Sequence, residues 1–125
     1  MKNISIIDMG INNIRSVVGA LNYLGFKTIV TKDESKIMDS SALILPGVGS
    51  FPEGIKNLEK NNLDLIIKNF FQQGKPILAI CLGFQMLFTS SEEFGHHMGL
   101  NIIPGHVGKI CNKGANGMPH KMMGG

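Results

Sequence analysis

The stretch Pro76-Ile77-Leu78-Ala79-Ile80-Cys81-Leu82-Gly83 decides the fold of this chain. Residues 76–80 are apolar throughout, which predicts a strand that is covered on both faces of a sheet. Residues 82–88 follow with no loop between and predict a helix. Small residues stand two positions before and two positions after Cys81. This pattern is typical of a nucleophile elbow, the sharp turn that presents a reactive side chain.

Cys81 is therefore the candidate nucleophile of the chain. A side chain at this place lies at a helix N-terminus, where the helix dipole and free N–H groups favour a thiolate. The backbone N–H of Leu82 would then point at the oxyanion that forms when the thiolate attacks a carbonyl group. On spacing alone, a buried structural cysteine at the end of a strand is an equally good interpretation, so both remain open here.

Strands and helices alternate on either side of this stretch. Short apolar runs predict strands over residues 4–8, Thr28–Thr31 and Ala42–Leu45, with a further strand over residues 107–111. Apolar residues at helical spacing predict helices over residues 14–24, 53–61 and 63–71. This alternation predicts an α/β fold in which a parallel sheet has helices on both faces.

A glycine-containing loop, residues 46–51, follows the predicted strand Ala42–Leu45. Gly47 and Gly49 flank Val48, so the backbone can turn its N–H groups toward a site. In elbow enzymes such a loop often supplies the second oxyanion donor. A plain turn and a dinucleotide-binding loop are the alternatives. The latter is weakened because Pro52 stands where its third glycine belongs, and the P-loop pattern does not occur.

Composition excludes several classes of protein. The chain has 125 residues, which suits one domain. Its 12 Lys plus Arg against 9 Asp plus Glu give a net charge of only +3, and they are scattered, which disfavours nucleic-acid binding. No apolar run reaches the roughly 18 residues of a membrane span. We see neither a signal peptide nor a disulfide framework, so we expect a cytoplasmic protein.

The histidines are weaker candidates for chemistry. His96 and His97 lie in a polar stretch that predicts a solvated loop, and their spacing does not predict a metal site. His106 and His120 are predicted to be surface residues. No acidic residue follows Glu93, whereas a catalytic histidine usually needs an acid to orient it. We expect no metal and no cofactor, and a structural role for the second cysteine, Cys111.

The elbow segment, residues 74–88, resembles the nucleophile segment of class I (triad) glutamine amidotransferases. Four other segments make the resemblance more specific, and together they are similar to the glutaminase subunits of imidazole glycerol phosphate synthases. These segments are Asp8-Met9-Gly10-Ile11-Asn12-Asn13-Ile14-Arg15-Ser16-Val17, Leu45-Pro46-Gly47-Val48-Gly49-Ser50-Phe51, Ser90-Ser91-Glu92-Glu93 and residues 99–105. The resemblance extends from about residue 4 to about residue 120 and implies a flavodoxin-like sheet.

The resemblance also implies residue roles. Cys81 would attack the side-chain amide of glutamine and form a thioester, releasing ammonia for a (βα)8-barrel synthase subunit that makes imidazole glycerol phosphate and aminoimidazole carboxamide ribotide. The implied oxyanion hole consists of Gly47, Val48, Gly49 and Leu82. The implied substrate-binding residues are Gln85 and Gly83. The implied contacts with the partner subunit are Asn12, Asn13 and Arg15.

The chain departs from the family pattern in three places. Ala79 replaces a usual glycine, and the residues after His120 lack the family's Gly-Trp-Asn. The family's catalytic His-x-Glu lies downstream of the residues matched here. We therefore expect residues 1–125 to be the N-terminal portion of a single glutamine amidotransferase type-1 domain, with little glutaminase activity alone. Alternatives are a paralogous subunit for surface-polysaccharide sugar synthesis, a non-catalytic pseudo-subunit that binds a partner, and a flavodoxin-like ligand domain.

Overall fold

A four-stranded parallel sheet forms the centre of the fold in the computed structural model, which describes residues 3–10 and 14–110. Its strands are β1 (Ile4–Ile7), β2 (Thr28–Thr31), β3 (Ala42–Leu45) and β4 (Ile77–Ala79). They lie in the order β2-β1-β3-β4, and every pair is parallel. The predicted parallel α/β sheet is thereby confirmed, and β2 and β3 have the predicted bounds.

Among the described residues, five helices connect or follow these strands. They are α1 (Ile14–Tyr23), α2 (Glu34–Asp39), α3 (Phe51–Lys60), α4 (Leu63–Gln72) and α5 (Leu82–Met86). Most of the core lies on one face of the sheet, where apolar residues of β1 and β3 pack with α2 to α5. Among them are Ile7, Leu43, Leu45, Phe51, Ile67 and Phe70. Helix α3 packs against α5, and the start of α5 lies against the Leu45 carbonyl group at the carboxyl end of β3, which is where the candidate site lies.

The other face of the sheet is only partly covered by the described residues. Val30, Ile6, Ile44 and Leu78 form one row across the four strands. Ile6 and Ile44 are buried, but Val30 is 39% exposed and Leu78 is 57% exposed. The prediction that β4 is covered on both faces is therefore wrong for the part of the chain described, since Leu78 on this face is more than half exposed while the packed helices α2 to α5 contact the opposite face.

Helix α2 is absent from the sequence-based prediction. It is short, and Asp33 caps its N-terminus by accepting a hydrogen bond from the Ser35 N–H at 2.9 Å. Hydrogen bonds from the side chain and backbone of Ser35 lower the pKa of Asp33. At the other end, Lys75 Nζ donates to the carbonyl oxygens of Met38 and Ser40 at 2.6 and 3.0 Å. Side chains thus satisfy polar groups at both helix ends, which makes so short a helix possible.

A small second sheet follows α5. It consists of β5 (Phe88–Ser91), β6 (His97–Met98) and β7 (Ile103–Val107), in the order β6-β5-β7. Two predictions are wrong here. The helix predicted over residues 82–88 ends at Met86, and the strand predicted over residues 107–111 lies earlier, ending at Val107. Residue 111 of that predicted strand lies outside the described residues. Across the described ranges, we find no helix with the length and apolar character that a membrane crossing requires.

Candidate active site

Cys81 occupies the turn between β4 and α5, as the elbow pattern predicts. Its φ of 54° and ψ of −120° lie in a region that side chains rarely adopt, and its side chain is exposed and free of any disulfide. The exposure excludes the alternative of a buried structural cysteine. Backbone hydrogen bonds hold the turn, from Ile80 N–H to Leu45 O at 3.0 Å and from Gly83 N–H to Ile80 O at 2.9 Å.

Gly83 allows the elbow to pack against β3. A Cβ atom added there would overlap the Leu45 carbonyl oxygen and lie 2.9 Å from its carbonyl carbon. Gly83 is buried. Close packing therefore accounts for this glycine, and its role in binding substrate stays a prediction.

The positive φ of Cys81 predicts how glycine and alanine at this position change the free energy of unfolding. We expect Cys81→Gly to be more stable than Cys81→Ala by about 1 kcal/mol, because glycine adopts a positive φ without the strain of a Cβ atom. Urea denaturation of both variants measures the difference. Gln85, in helix α5, is the control: there glycine should be less stable than alanine. If alanine were the more stable residue at position 81 as well, the turn would not be strained.

The loop of residues 47–50, here called the glycine loop, lies directly against the start of α5. The Leu82 N–H donates to the Gly47 carbonyl oxygen at 3.0 Å, and a Cβ atom on Gly47 would lie 2.9 Å from the Gly83 nitrogen. Gly49 has a φ of 110°, and an added Cβ atom there would meet only open space. The four residues of the predicted oxyanion hole, Gly47, Val48, Gly49 and Leu82, therefore belong to one corner of the fold. In this conformation the Leu82 N–H already donates to the Gly47 carbonyl oxygen, so its role in an oxyanion hole stays a prediction.

A cavity of about 590 Å³ lies beside the elbow helix. It is lined by Gln85, Glu92, Glu93, Phe94, Gly108 and Lys109. Gln85 lies one turn beyond the nucleophile, and its N–H donates to the Cys81 carbonyl oxygen at 3.2 Å. The cavity wall thus combines two carboxylates with one ammonium group, a distribution of charge that complements an amino-acid zwitterion. Gln85, a predicted substrate-binding residue, lines this cavity, and its role stays a prediction. Glu93 and Lys109 also line it, and they were not predicted from the sequence as site residues.

The three histidines in the described part of the chain, His96, His97 and His106, lie on or near the small sheet. His106 Nδ1 is 2.9 Å from Ser90 Oγ, and His106 Nε2 is 3.5 Å from Glu92 Oε1. His97 begins β6 rather than lying in the predicted loop, and its Nε2 is 2.9 Å from the Phe94 carbonyl oxygen. Within residues 3–10 and 14–110, no hydrogen bond joins a histidine to the Cys81 sulfur.

Glu92, which contacts His106, precedes it in the chain. Because only acids after Glu93 were considered from the sequence, the contact between Glu92 Oε1 and His106 Nε2 was not predicted. In the same described ranges, no three His, Cys, Asp or Glu side chains form a group that could hold a metal ion.

The predicted partner contacts are only partly described. Arg15 lies in the first turn of α1 and is exposed, while Asn12 and Asn13 lie outside the described residues. Cys111 and His120 lie outside them as well. The contact role of Arg15 stays a prediction.

Known relatives match nearly the whole chain. An "Imidazole glycerol phosphate synthase subunit HisH" from Bacillus mycoides (strain KBAB4) is 48% identical over 107 residues, which are 86% of this chain and 51% of the relative. "Imidazole glycerol phosphate synthase subunit HisH 1" from Legionella pneumophila (strain Paris) is 41% identical over 122 residues, or 98% of this chain and 57% of the relative. The chain thus spans about half the length of these curated relatives.

Solved structures share the fold. A structure titled "Crystal structure of glutamine amidotransferase" superposes with a TM-score of 0.71 at 17% identity, covering 84% of this chain and 55% of that one. A putative peptidase E protein from Listeria monocytogenes EGD-e superposes with a TM-score of 0.68 at 14% identity, covering 82% and 63%. Residues 5–123 match the family described as "Glutamine amidotransferase class-I". The chain therefore belongs to the class-I glutamine amidotransferase family.

Proposed function

We propose that this chain carries the nucleophile of a glutaminase that hydrolyses glutamine to glutamate and ammonia. The observation that carries the proposal is the exposed thiol of Cys81 at a strained turn between β4 and α5. A thiol held at such a turn is accessible to a substrate carbonyl and lies next to the backbone N–H groups of a helix start. The family membership supports the same chemistry.

The cavity beside α5 supports an amino acid as the substrate. Glu93 offers a negative charge for the α-ammonium group, and Lys109 offers a positive charge for the α-carboxylate. Gln85, between them and Cys81 in the chain, can donate and accept hydrogen bonds. The side-chain amide of a bound glutamine would then extend toward the thiol.

The proposed reaction has two steps. The Cys81 thiolate attacks the amide carbon, and the oxyanion is stabilised by the Leu82 N–H and by N–H groups of the glycine loop. The C–N bond breaks, ammonia leaves with an added proton, and a glutamyl thioester remains on Cys81. Water then attacks the thioester carbon, releasing glutamate and the free thiol.

The thiol proton needs a base that accepts it. No histidine among the described residues bonds to Cys81, so we expect the base to come from outside residues 3–10 and 14–110. By the family resemblance, it is the histidine of a downstream His-x-Glu pair. We therefore expect this 125-residue chain to show little or no glutaminase activity by itself.

We propose further that the ammonia passes to a synthase subunit in histidine biosynthesis. The relatives that match are called subunits of imidazole glycerol phosphate synthase, which supports a heterodimer with a second subunit. By the family resemblance this partner is a (βα)8 barrel in the cytoplasm that adds the ammonia as it forms the imidazole ring, a lyase-type step. Arg15, Asn12 and Asn13 are the proposed contact residues.

A glutamine turnover assay tests this proposal. We compare the 125-residue chain with a chimaera in which the unmatched C-terminal part of the Legionella pneumophila (strain Paris) relative, whose match covers 98% of this chain, follows residue 125. Each is assayed with the barrel subunit present. We expect glutamate release from the chimaera and almost none from the chain. A folded chimaera that binds the barrel and releases no glutamate would favour the non-catalytic pseudo-subunit. If the 125-residue chain hydrolysed glutamine at the chimaera's rate, the expectation that the base comes from a downstream His-x-Glu pair would be contradicted.

A further inference from the structure

Glu93 makes a contact that connects two distant parts of the chain. Its Oε1 accepts a hydrogen bond from the Phe51 N–H at 2.6 Å, across 42 residues of sequence. Phe51 is the first residue of α3 and directly follows the glycine loop. The Glu93 backbone is itself held, because its N–H donates to Ser91 Oγ at 3.1 Å. The small sheet is thereby tied to the far end of the glycine loop.

The bond adds to a cap that is already present. Ser50 is the N-cap of α3, and its Oγ accepts from the Glu53 N–H at 3.4 Å, which is long for a hydrogen bond. The Phe51 N–H is one of the donors that a helix cannot satisfy internally, and a carboxylate there is favoured by its charge and by the helix dipole. Glu93 therefore supplies the shortest hydrogen bond at this helix start.

The glycine loop is consequently held at both ends and open between them. At one end the Gly47 carbonyl oxygen accepts from Leu82 N–H, and at the other the Phe51 N–H donates to Glu93. Between these anchors Val48 is 45% exposed and Gly49 has open space around it. Removing the anchor at Phe51 would leave the loop held by Gly47 and the helix cap.

We propose that Glu93 is a positioning residue that holds the glycine loop in place beside Cys81 through the Phe51 N–H. The effect of the loop on turnover rests on the proposed glutaminase function, but the positioning itself does not. This role is separate from the negative charge that Glu93 offers to an α-ammonium group, because only the first needs an acceptor for Phe51. Glutamine at position 93 separates the two roles, since its amide oxygen accepts a hydrogen bond without a charge.

Hydrogen exchange in the 125-residue chain tests the positioning without any substrate. We expect Glu93→Ala to speed exchange of the Phe51 amide by about fivefold, and also to speed exchange of the Leu82 amide, whose hydrogen bond to the Gly47 carbonyl oxygen depends on the position of the glycine loop. Glu93→Gln should restore most of the protection at both amides. Exchange in β1 should be unchanged, which shows that the fold is intact. Glu92→Ala is the matched control, since the contact of that carboxylate is with His106. Unchanged exchange in Glu93→Ala, or equal loss of protection in Glu93→Gln, would overturn the proposal.

Kinetics of the chimaera then separate positioning from binding. We expect Glu93→Ala to lower kcat and raise KM, while Glu93→Gln raises KM with kcat near that of the parent chimaera. Equal kcat values in all three proteins would refute a role of the loop in turnover. If the parent chimaera shows no turnover, the proposed function fails, whereas the exchange measurements still decide the positioning role.

Discussion

Replacing Gly83 with alanine is expected to destabilise the chain by about 3 kcal/mol, the upper part of the usual range for overpacking. The added Cβ atom would overlap the Leu45 carbonyl oxygen, which is a backbone atom and cannot rotate away. The same oxygen accepts the Ile80 N–H at 3.0 Å, so displacing it also breaks a bond that holds the elbow. Urea denaturation monitored by circular dichroism measures the loss.

Gly19 provides the matched control for this substitution. It lies in α1, and a Cβ atom added there would meet nothing within 4 Å. Gly19→Ala should therefore leave stability unchanged or raise it by up to about 1 kcal/mol, because alanine is the better helix former. If Gly83→Ala and Gly19→Ala had equal stabilities, α5 would not pack against β3 as closely as the structure shows.

Replacing Cys81 with alanine is expected to lower glutamine hydrolysis by the chimaera by roughly a thousandfold or more, because no thioester can form. The side chain is exposed and makes no hydrogen bond among the described residues, so the variant should fold as the parent does. Glutamate release and unfolding midpoints, measured on the same preparations, check both expectations.

Two controls give this substitution its meaning. Cys111→Ala removes the other cysteine and should leave hydrolysis unchanged. Capture of the barrel subunit should be equally strong with Cys81→Ala, since α1 and not the elbow carries the proposed contact residue Arg15. Hydrolysis that survived in Cys81→Ala would identify a different nucleophile and remove the basis of the proposed function.

The parts of the fold that sequence reasoning predicted share strong local signals. Strand β2 consists of β-branched residues and β3 is a continuous apolar run followed by Pro46, and the predicted ends of both agree with the structure. Helix α1 was predicted to extend to residue 24 and ends at Tyr23, with Gly25 following at a φ of 90°. The elbow was predictable because the sharp turn requires small residues around Cys81. Hydrophobic periodicity and turn chemistry were sufficient for these elements.

The elements that sequence reasoning missed lack such signals. Strand β5 is mostly polar, β6 has two residues, and β7 contains Pro104 and Gly105, which argue against a strand in any local reading. These three strands are stabilised because they pair with one another. Pairing between distant segments cannot be predicted from the sequence of one segment alone. The hydrogen bond between Glu93 and Phe51 could not be predicted for the same reason, since it joins residues 42 positions apart and no local pattern near either residue indicates the partner.

The outer hydrogen-bonding edge of β4 affects how the 125-residue chain behaves in concentrated solution. In the described part of the fold β4 ends the strand order, and its middle residue, Leu78, is exposed. An unpaired strand edge is a template on which a second molecule can add its own strand, which leads to aggregation. Here the strand has only three residues, and Pro76 before it has no N–H to offer a neighbour. In the 125-residue chain, the brevity of β4 should therefore limit self-association at the strand that leads into Cys81.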